Sequence, residues 1–287
     1  MAAPAYRRPL LYRVLGNTGV TLGGLVLLAA VAMALFAPWL APQDPYAQDL
    51  TARVLPPFWH DRADPAHLLG TDHLGRDYLS RLIYGARVSL AVGLGVILVS
   101  GTIGITLGLA AGYFGGTVDM IVSFVVTTRL SLPIVLVALA AVALAGASLS
   151  TLIAVLGLLL WDRFAVVSRA AAQSLRSRDF VKGMRAIGAG HLRILFLELL
   201  PNMRGALIVV MTLEVANAIL LEAALSFLGL GVRAPMASWG LMIAEGRENI
   251  LFDPWLIALP GGLLCALVLA VNLLGDGLRD LTGGKAK

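Results

Sequence analysis

Long apolar runs alternate with shorter polar stretches along the whole chain. Gly19–Leu40 is nearly unbroken apolar sequence, and similar runs follow at Val88–Phe114, Val118–Ala145, Ser148–Val167, Ala206–Leu230 and Pro254–Gly275. Each can cross roughly 30 Å of hydrocarbon as a helix. The pattern predicts an all-α integral membrane protein with six transmembrane helices. A cleavable leader has a shorter apolar core, so the first run reads as a retained span. The predicted division is a cytoplasmic arm (1–18), a first transmembrane helix (19–40), an external loop with an interfacial helix (41–87), a membrane core (88–277) and a cytoplasmic tail (278–287).

The polar stretches give the orientation. Met1–Asn17 carries Arg7, Arg8 and Arg13 and no acid, and Lys285 and Lys287 close the tail. Asp162–Arg204 holds Arg163, Arg169, Arg176, Arg178, Lys182, Arg185, Arg193 and Arg204 against Asp162, Asp179 and Glu198. Basic loops stay in the cytoplasm, so both termini are expected there. Ala41–Arg87 balances its acids and bases and carries five prolines, as a translocated loop does. With 59% hydrophobic and 14% charged residues the chain is no soluble domain. Its net charge of +5 sits between apolar spans, which excludes a nucleic-acid binder. The single Cys265 cannot form an intrachain disulfide.

The chain lacks GxxxxGK[ST], HExxH and GxSxG, so it has no nucleotide loop or hydrolase signature of its own. Candidate chemistry lies in four places. In Arg178–Pro201, Phe180, Met184 and Ile187 fall at helical spacing opposite Arg178, Lys182 and Arg185. After the Gly188–Gly190 break, Leu192, Leu195, Phe196, Leu199 and Leu200 form a second stripe that Pro201 should stop. Such a helical hook can rest on a partner outside the bilayer, or simply be a basic interfacial loop.

In the external loop, Thr71 or Asp72 can cap a helix whose Leu74, Tyr78 and Leu82 lie on the membrane surface. His60, His67 and His73 share that loop with Asp61, Asp64 and Asp72, at spacings that fit no standard zinc pattern, and no metal site is predicted. Within the spans, Gly104, Gly108 and Gly112 share one face and allow close approach of a helix from this chain or from a partner. Arg129, Pro133, Glu214, Asn217 and Glu222 are candidates for a transport path. An ionised carboxylate at mid-bilayer costs roughly 2.5 to 3.5 kcal/mol on insertion scales, so both glutamates should face the bundle interior or a water path. Pro235, Trp239 and Trp255 read as anchors at the membrane interface.

Three blocks resemble the membrane subunits of peptide and nickel importers of the ATP-binding-cassette class. They are Gly70, Thr71, Asp72, Gly75, Arg76 and Asp77 of the external loop, Glu222–Gly231, and the ending Asn272–Leu281. The cytoplasmic signature of that class, Glu-Ala-Ala, then Gly, then Ile-x-Leu-Pro, is matched at Gly188 and Leu200–Pro201, while Lys182, Gly183 and Met184 stand where Glu-Ala-Ala is usual. The resemblance is to the second, short-loop permease. It implies a type I importer permease fold with a coupling helix in region 176–201, where Asp179, Phe180, Lys182, Gly183, Met184, Arg185, Ala186 and Gly188 would meet an ATPase.

It further implies a bacterial inner-membrane subunit that is not an enzyme. A homologous second permease, two ATPase subunits and a periplasmic or lipid-anchored substrate-binding protein would be its partners. ATP and Mg would be bound by the ATPases and no cofactor by this chain. The alternative is an ion-coupled secondary transporter using Glu214 and Glu222 as proton sites.

Overall fold

The computed structural model describes residues 16–282. Most of the expected N-terminal arm and the last residues of the tail lie outside the described residues. Among the described residues every regular element is helical, apart from one isolated pairing of Thr71 with Asp77.

Helix α1 (Thr18–Leu35) starts at Asn17, whose side chain accepts from the N–H groups of Gly19 and Val20. It is shorter than the 19–40 run: Phe36 interrupts it, and Pro38 opens a separate turn, Ala37–Leu40. Helix α2 (Tyr78–Phe114) has 37 residues, about 55 Å at 1.5 Å per residue, so it outreaches the hydrocarbon core.

The expected interfacial helix is therefore the first part of α2, and it is buried. Tyr78 and Leu82 are 1% and 3% exposed, and the Tyr78 hydroxyl donates to the Leu256 carbonyl at 2.5 Å.

The third apolar run forms two helices, α3 (Gly116–Leu130) and α4 (Ile134–Ala145), bent by 86°. Pro133 lies at the break, where its ring disfavours a helical Leu132 and its missing N–H ends the ladder. Helices α5 (Leu149–Leu159) and α6 (Asp162–Arg176) meet at Leu160 and Trp161 and together make a 28-residue stretch long enough to cross a membrane. The sequence suggested a cytoplasmic loop from Asp162 onward. The pattern of Phe164, Ala165, Ser168 and Ala172 instead buries one face of α6 against α2.

The glycine row of α2 explains how close that packing is. A β-carbon on Gly104, Gly108 or Gly112 would run into Trp161 and Phe164, Ala165 and Ser168, or Arg169 and Ala172. The helix that approaches is in this chain.

Helix α7 (Asp179–Ala186) packs on the end of the bundle through Val181. His191–Arg193 and a π-helical turn, Ile194–Leu199, then run without interruption into α8 (Leu200–Phe227). Pro201 does not stop this helix. It sits in the first turn of α8, directly after the π turn. Helices α9 (Trp239–Gly246) and α10 (Trp255–Thr282) complete the chain.

By length and composition five of the described helical stretches can cross a membrane, or six if the bent α3–α4 pair is one span. Helix α2 is the spine, touching α1, α5, α6 and α8, while α10 packs on α1 and α8. Trp239 and Trp255 are not surface anchors. Trp239 is 1% exposed with its Nε1 donating to the Leu82 carbonyl at 2.9 Å, and Trp255 belongs to the same buried cluster. Pro235, by contrast, is exposed.

Candidate functional site

The external block Gly70–Asp77 folds as a tight turn closed by the Thr71–Asp77 pairing. Gly75 is held at φ +74°, and a β-carbon there would strike the Asp49 carbonyl, so only glycine fits. The turn aims Asp72 inward. One carboxylate oxygen accepts from the N–H groups of Leu74 and Arg76, at 2.8 and 3.0 Å. The other accepts from Arg76 Nε at 2.6 Å and from Arg81 Nη1.

Both guanidiniums also reach Glu245 on α9, at 3.1 Å from Arg76 and 2.7 Å from Arg81. Burial pushes the Asp72 carboxyl up, but Arg81 and Arg76 outweigh it and hold it below the ordinary carboxylate value. The cap of α2 is Asp77, not Thr71 or Asp72. Its side chain accepts from Ser80 N at 2.8 Å and meets His67 Nδ1 at 3.0 Å. Thr71 instead bridges Ala52 and Leu55 across the loop. The block thus ties the loop to α2 and α9. Ligand atoms of Asp72, His73 and Glu245 lie within 4.8 Å of one another, but two guanidiniums already neutralise both carboxylates. Their charge opposes a cation there.

At the other end, α7 is held by Val181, which is fully buried in a cluster with Leu109, Tyr113, Ile194 and Leu199. Met184 packs partly against the same cluster. The inward stripe therefore runs through Val181 and Met184 rather than through Phe180, Met184 and Ile187. Phe180 is 40% and Ile187 79% exposed. Asp179, Lys182, Gly183, Arg185, Ala186 and Gly188 are also exposed, and Lys182 pairs with Asp179 at 3.2 Å.

Arg185 does not hang free. Its guanidinium stands 4.6 Å from the ring centre of Tyr113 near the end of α2, and the Tyr113 hydroxyl lies 2.9 Å from His191 Nδ1. The glycine elbow is real, with Gly188 at φ +79°. The stripe after it is mixed: Leu195 and Leu199 are buried, whereas Leu192 and Phe196 are exposed.

The candidate path residues separate into two environments. Glu222 is fully buried and accepts from Ser226 at 2.7 Å and from Ser238, the cap of α9, at 3.1 Å. It joins α8 to α9. Glu214 is also fully buried but faces α6, where Arg163 Nη1 donates to it at 2.9 Å, and Asn217 lies 3.5 Å from its other oxygen. Arg129, at the end of α3, donates to Asp162 at 3.3 Å, and Pro133 is exposed just beyond it. Asp162, Arg163 and Glu245 were missed as site residues. The run of basic residues hid the first two in a supposed loop, and Glu245 lies more than 160 positions from its partners.

A bundle of membrane-length helices, with buried charge pairs between them and a short exposed helix at one end, defines a multi-pass membrane transport component. The model of the family described as "Binding-protein-dependent transport system inner membrane component" matches residues 104–284, and that of the "N-terminal TM domain of oligopeptide transport permease C" matches residues 10–57. The chain belongs to this family of inner-membrane transport components.

It is 40% identical over 271 residues to the dipeptide transport system permease protein DppC of Haemophilus influenzae, covering 94% of this chain and 92% of that one. It is 43% identical to the di/tripeptide transport system permease protein DppC of Pseudomonas aeruginosa, covering 94% and 89%. Among solved structures, a chain of the MetNI methionine ABC transporter in inward-facing conformations shares the fold, with a TM-score of 0.56 at 20% identity over 68% of this chain and 93% of that one. The chain is a multi-pass inner-membrane permease subunit, not an enzyme, and binding-protein-dependent uptake replaces the ion-coupled alternative.

Proposed function

We propose that this chain forms one half of the solute path of an ATP-driven importer of dipeptides and other short peptides, and that α7 couples it to a separate ATPase. One observation carries the coupling role: α7 is pinned to the bundle by Val181 and Met184 while Phe180, Ile187 and its charged residues stay open to a partner. A partner that grips this exposed side can pull on α2 through Tyr113 and on α8 through the unbroken His191–Phe227 helix. The peptide class rests on what the similar permeases are named for.

In this reading a homologous permease supplies the other half of the path. Two ATPase subunits bind ATP and Mg beneath it, and a periplasmic or lipid-anchored binding protein delivers the peptide. Both termini are cytoplasmic, on the same side as α7. The ATPase states must bias different permease states for ATP to drive transport.

The test is uptake of a labelled dipeptide into liposomes holding the complete assembly with its loaded binding protein. ATP-dependent accumulation that disappears when the ATPases are left out is expected. Equal uptake by the permeases alone would refute the reading.

A further inference from the structure

Four charged residues from three helices form one row. Arg129 of α3 donates to Asp162 at 3.3 Å, and the neighbouring Arg163 donates to Glu214 of α8 at 2.9 Å. Asp162 and Arg163 lie halfway along the Leu149–Arg176 stretch, and their partner Glu214 lies well inside the His191–Phe227 stretch, about two thirds of the way along it. The row therefore sits near mid-depth of the bundle.

Three of its members are enclosed: Asp162 is 3% exposed, Glu214 is fully buried, and the Arg129 side chain is 16% exposed. Arg163 differs, with 59% of its side chain open. An arginine open at mid-depth cannot face acyl chains, and from there its stem is too short to lift the charge to either interface. Its open side faces a watery path or another protein.

Glu214 takes one nitrogen of Arg163, and the guanidinium carries further N–H donors on a side chain that is 59% open. Fixed donors, a buried counter-charge behind them and an open front make a receptor for a carboxylate.

We infer that Arg163, positioned by Glu214 and backed by the Arg129–Asp162 pair, binds the C-terminal carboxylate of a peptide as it crosses. This inference rests on the peptide-import reading. Asp162 and Arg129 are positioning residues, since they act through the neighbouring pair. Glu214 keeps Arg163 extended and offsets its charge, so a bound carboxylate is held and then let go.

The experiment uses the complete assembly in liposomes, with its binding protein saturated by either of two dipeptides, one ending in a free carboxylate and one in an amide. Maximal uptake is compared for wild type, Arg163→Gln and Arg163→Lys. Arg163→Gln should cut carboxylate-peptide uptake at least about ten-fold and amide uptake less than about two-fold, and Arg163→Lys should fall between because it keeps the charge but loses the fork.

A charge swap, Arg163→Glu with Glu214→Arg, separates binding from structure. The swap should leave carboxylate-peptide uptake lost. Restored uptake would mean that the pair only ties α6 to α8 and would overturn the proposal. So would equal losses for both peptides, or a failure of Arg163→Gln to assemble with the second permease. If wild type takes up neither peptide with ATP, the peptide-import reading itself has failed.

Discussion

Replacing Asp72 with Asn keeps the shape of the external turn and removes one charge from a set of four, three of them buried. Asp72 is 2% exposed, and Arg76 and Arg81 are 1% and 0% exposed. The variant leaves two guanidiniums facing Glu245 alone, with Arg81 Nε and Nη2 already lacking partners. Breaking a buried pair by removing one member costs about 3–5 kcal/mol. At about 2–4 °C per kcal/mol for a chain of this size class, the melting temperature should fall by roughly 6–20 °C.

Trp239 is buried close by on α9 and, with the other four tryptophans of the chain, contributes to the intrinsic fluorescence that follows thermal unfolding of the detergent-solubilised protein. Glu245→Gln should cost less, because that side chain is 16% exposed and water can reach the gap. Asp49→Ala is the control, since its carboxylate bonds locally to Thr51 on an exposed loop. A shift within about 2 °C for Asp72→Asn would refute the idea that this network holds the loop to α2 and α9.

Other outcomes follow from the same geometry. Gly108→Ile should split α2 from α6, because the added β-carbon meets the Ala165 carbonyl, and the yield of folded protein in detergent should drop severely. Asp72 keeps its charge below the ordinary carboxyl value of 3.8, so its contribution to stability is present above pH 3.8 and is lost as pH falls from there through its lower folded value. An unfolding series from pH 7 to 3 should therefore show the Asp72→Asn difference constant until the acid end. Tyr113→Leu should weaken uptake more than it weakens ATP hydrolysis, since the ring carries the Arg185 contact between α7 and α2.

The membrane class and the run of spans were legible because apolar length is a local property. The break at Pro133 and the elbow at Gly188 were legible for the same reason: proline and positive-φ glycine act on their own neighbours. What failed was anything set by distant packing. Asp162 and Arg163 looked like loop charges because composition alone cannot reveal that Asp119, Glu214 and the Tyr113 carbonyl wait to pair with the cations of α6.

Trp239 and Trp255 looked like interface anchors because aromatic residues favour both places, and the Leu82 carbonyl that receives Trp239 lies 157 positions away. Pro201 looked like a stop because a π turn has no simple signal in the sequence. In α7 the apolar spacing of Phe180, Met184 and Ile187 was correct as a pattern, yet Val181 is the residue that turns inward.

The coupling role of α7 is tested most directly by the ratio of peptide imported to ATP hydrolysed in the reconstituted assembly carrying Phe180→Asp with Ile187→Asp. Both positions are exposed, so the bundle itself should fold and the second permease should still bind. The account predicts that basal hydrolysis survives while stimulation by loaded binding protein and peptide uptake are both lost. An unchanged ratio, with uptake at the wild-type rate, would contradict it.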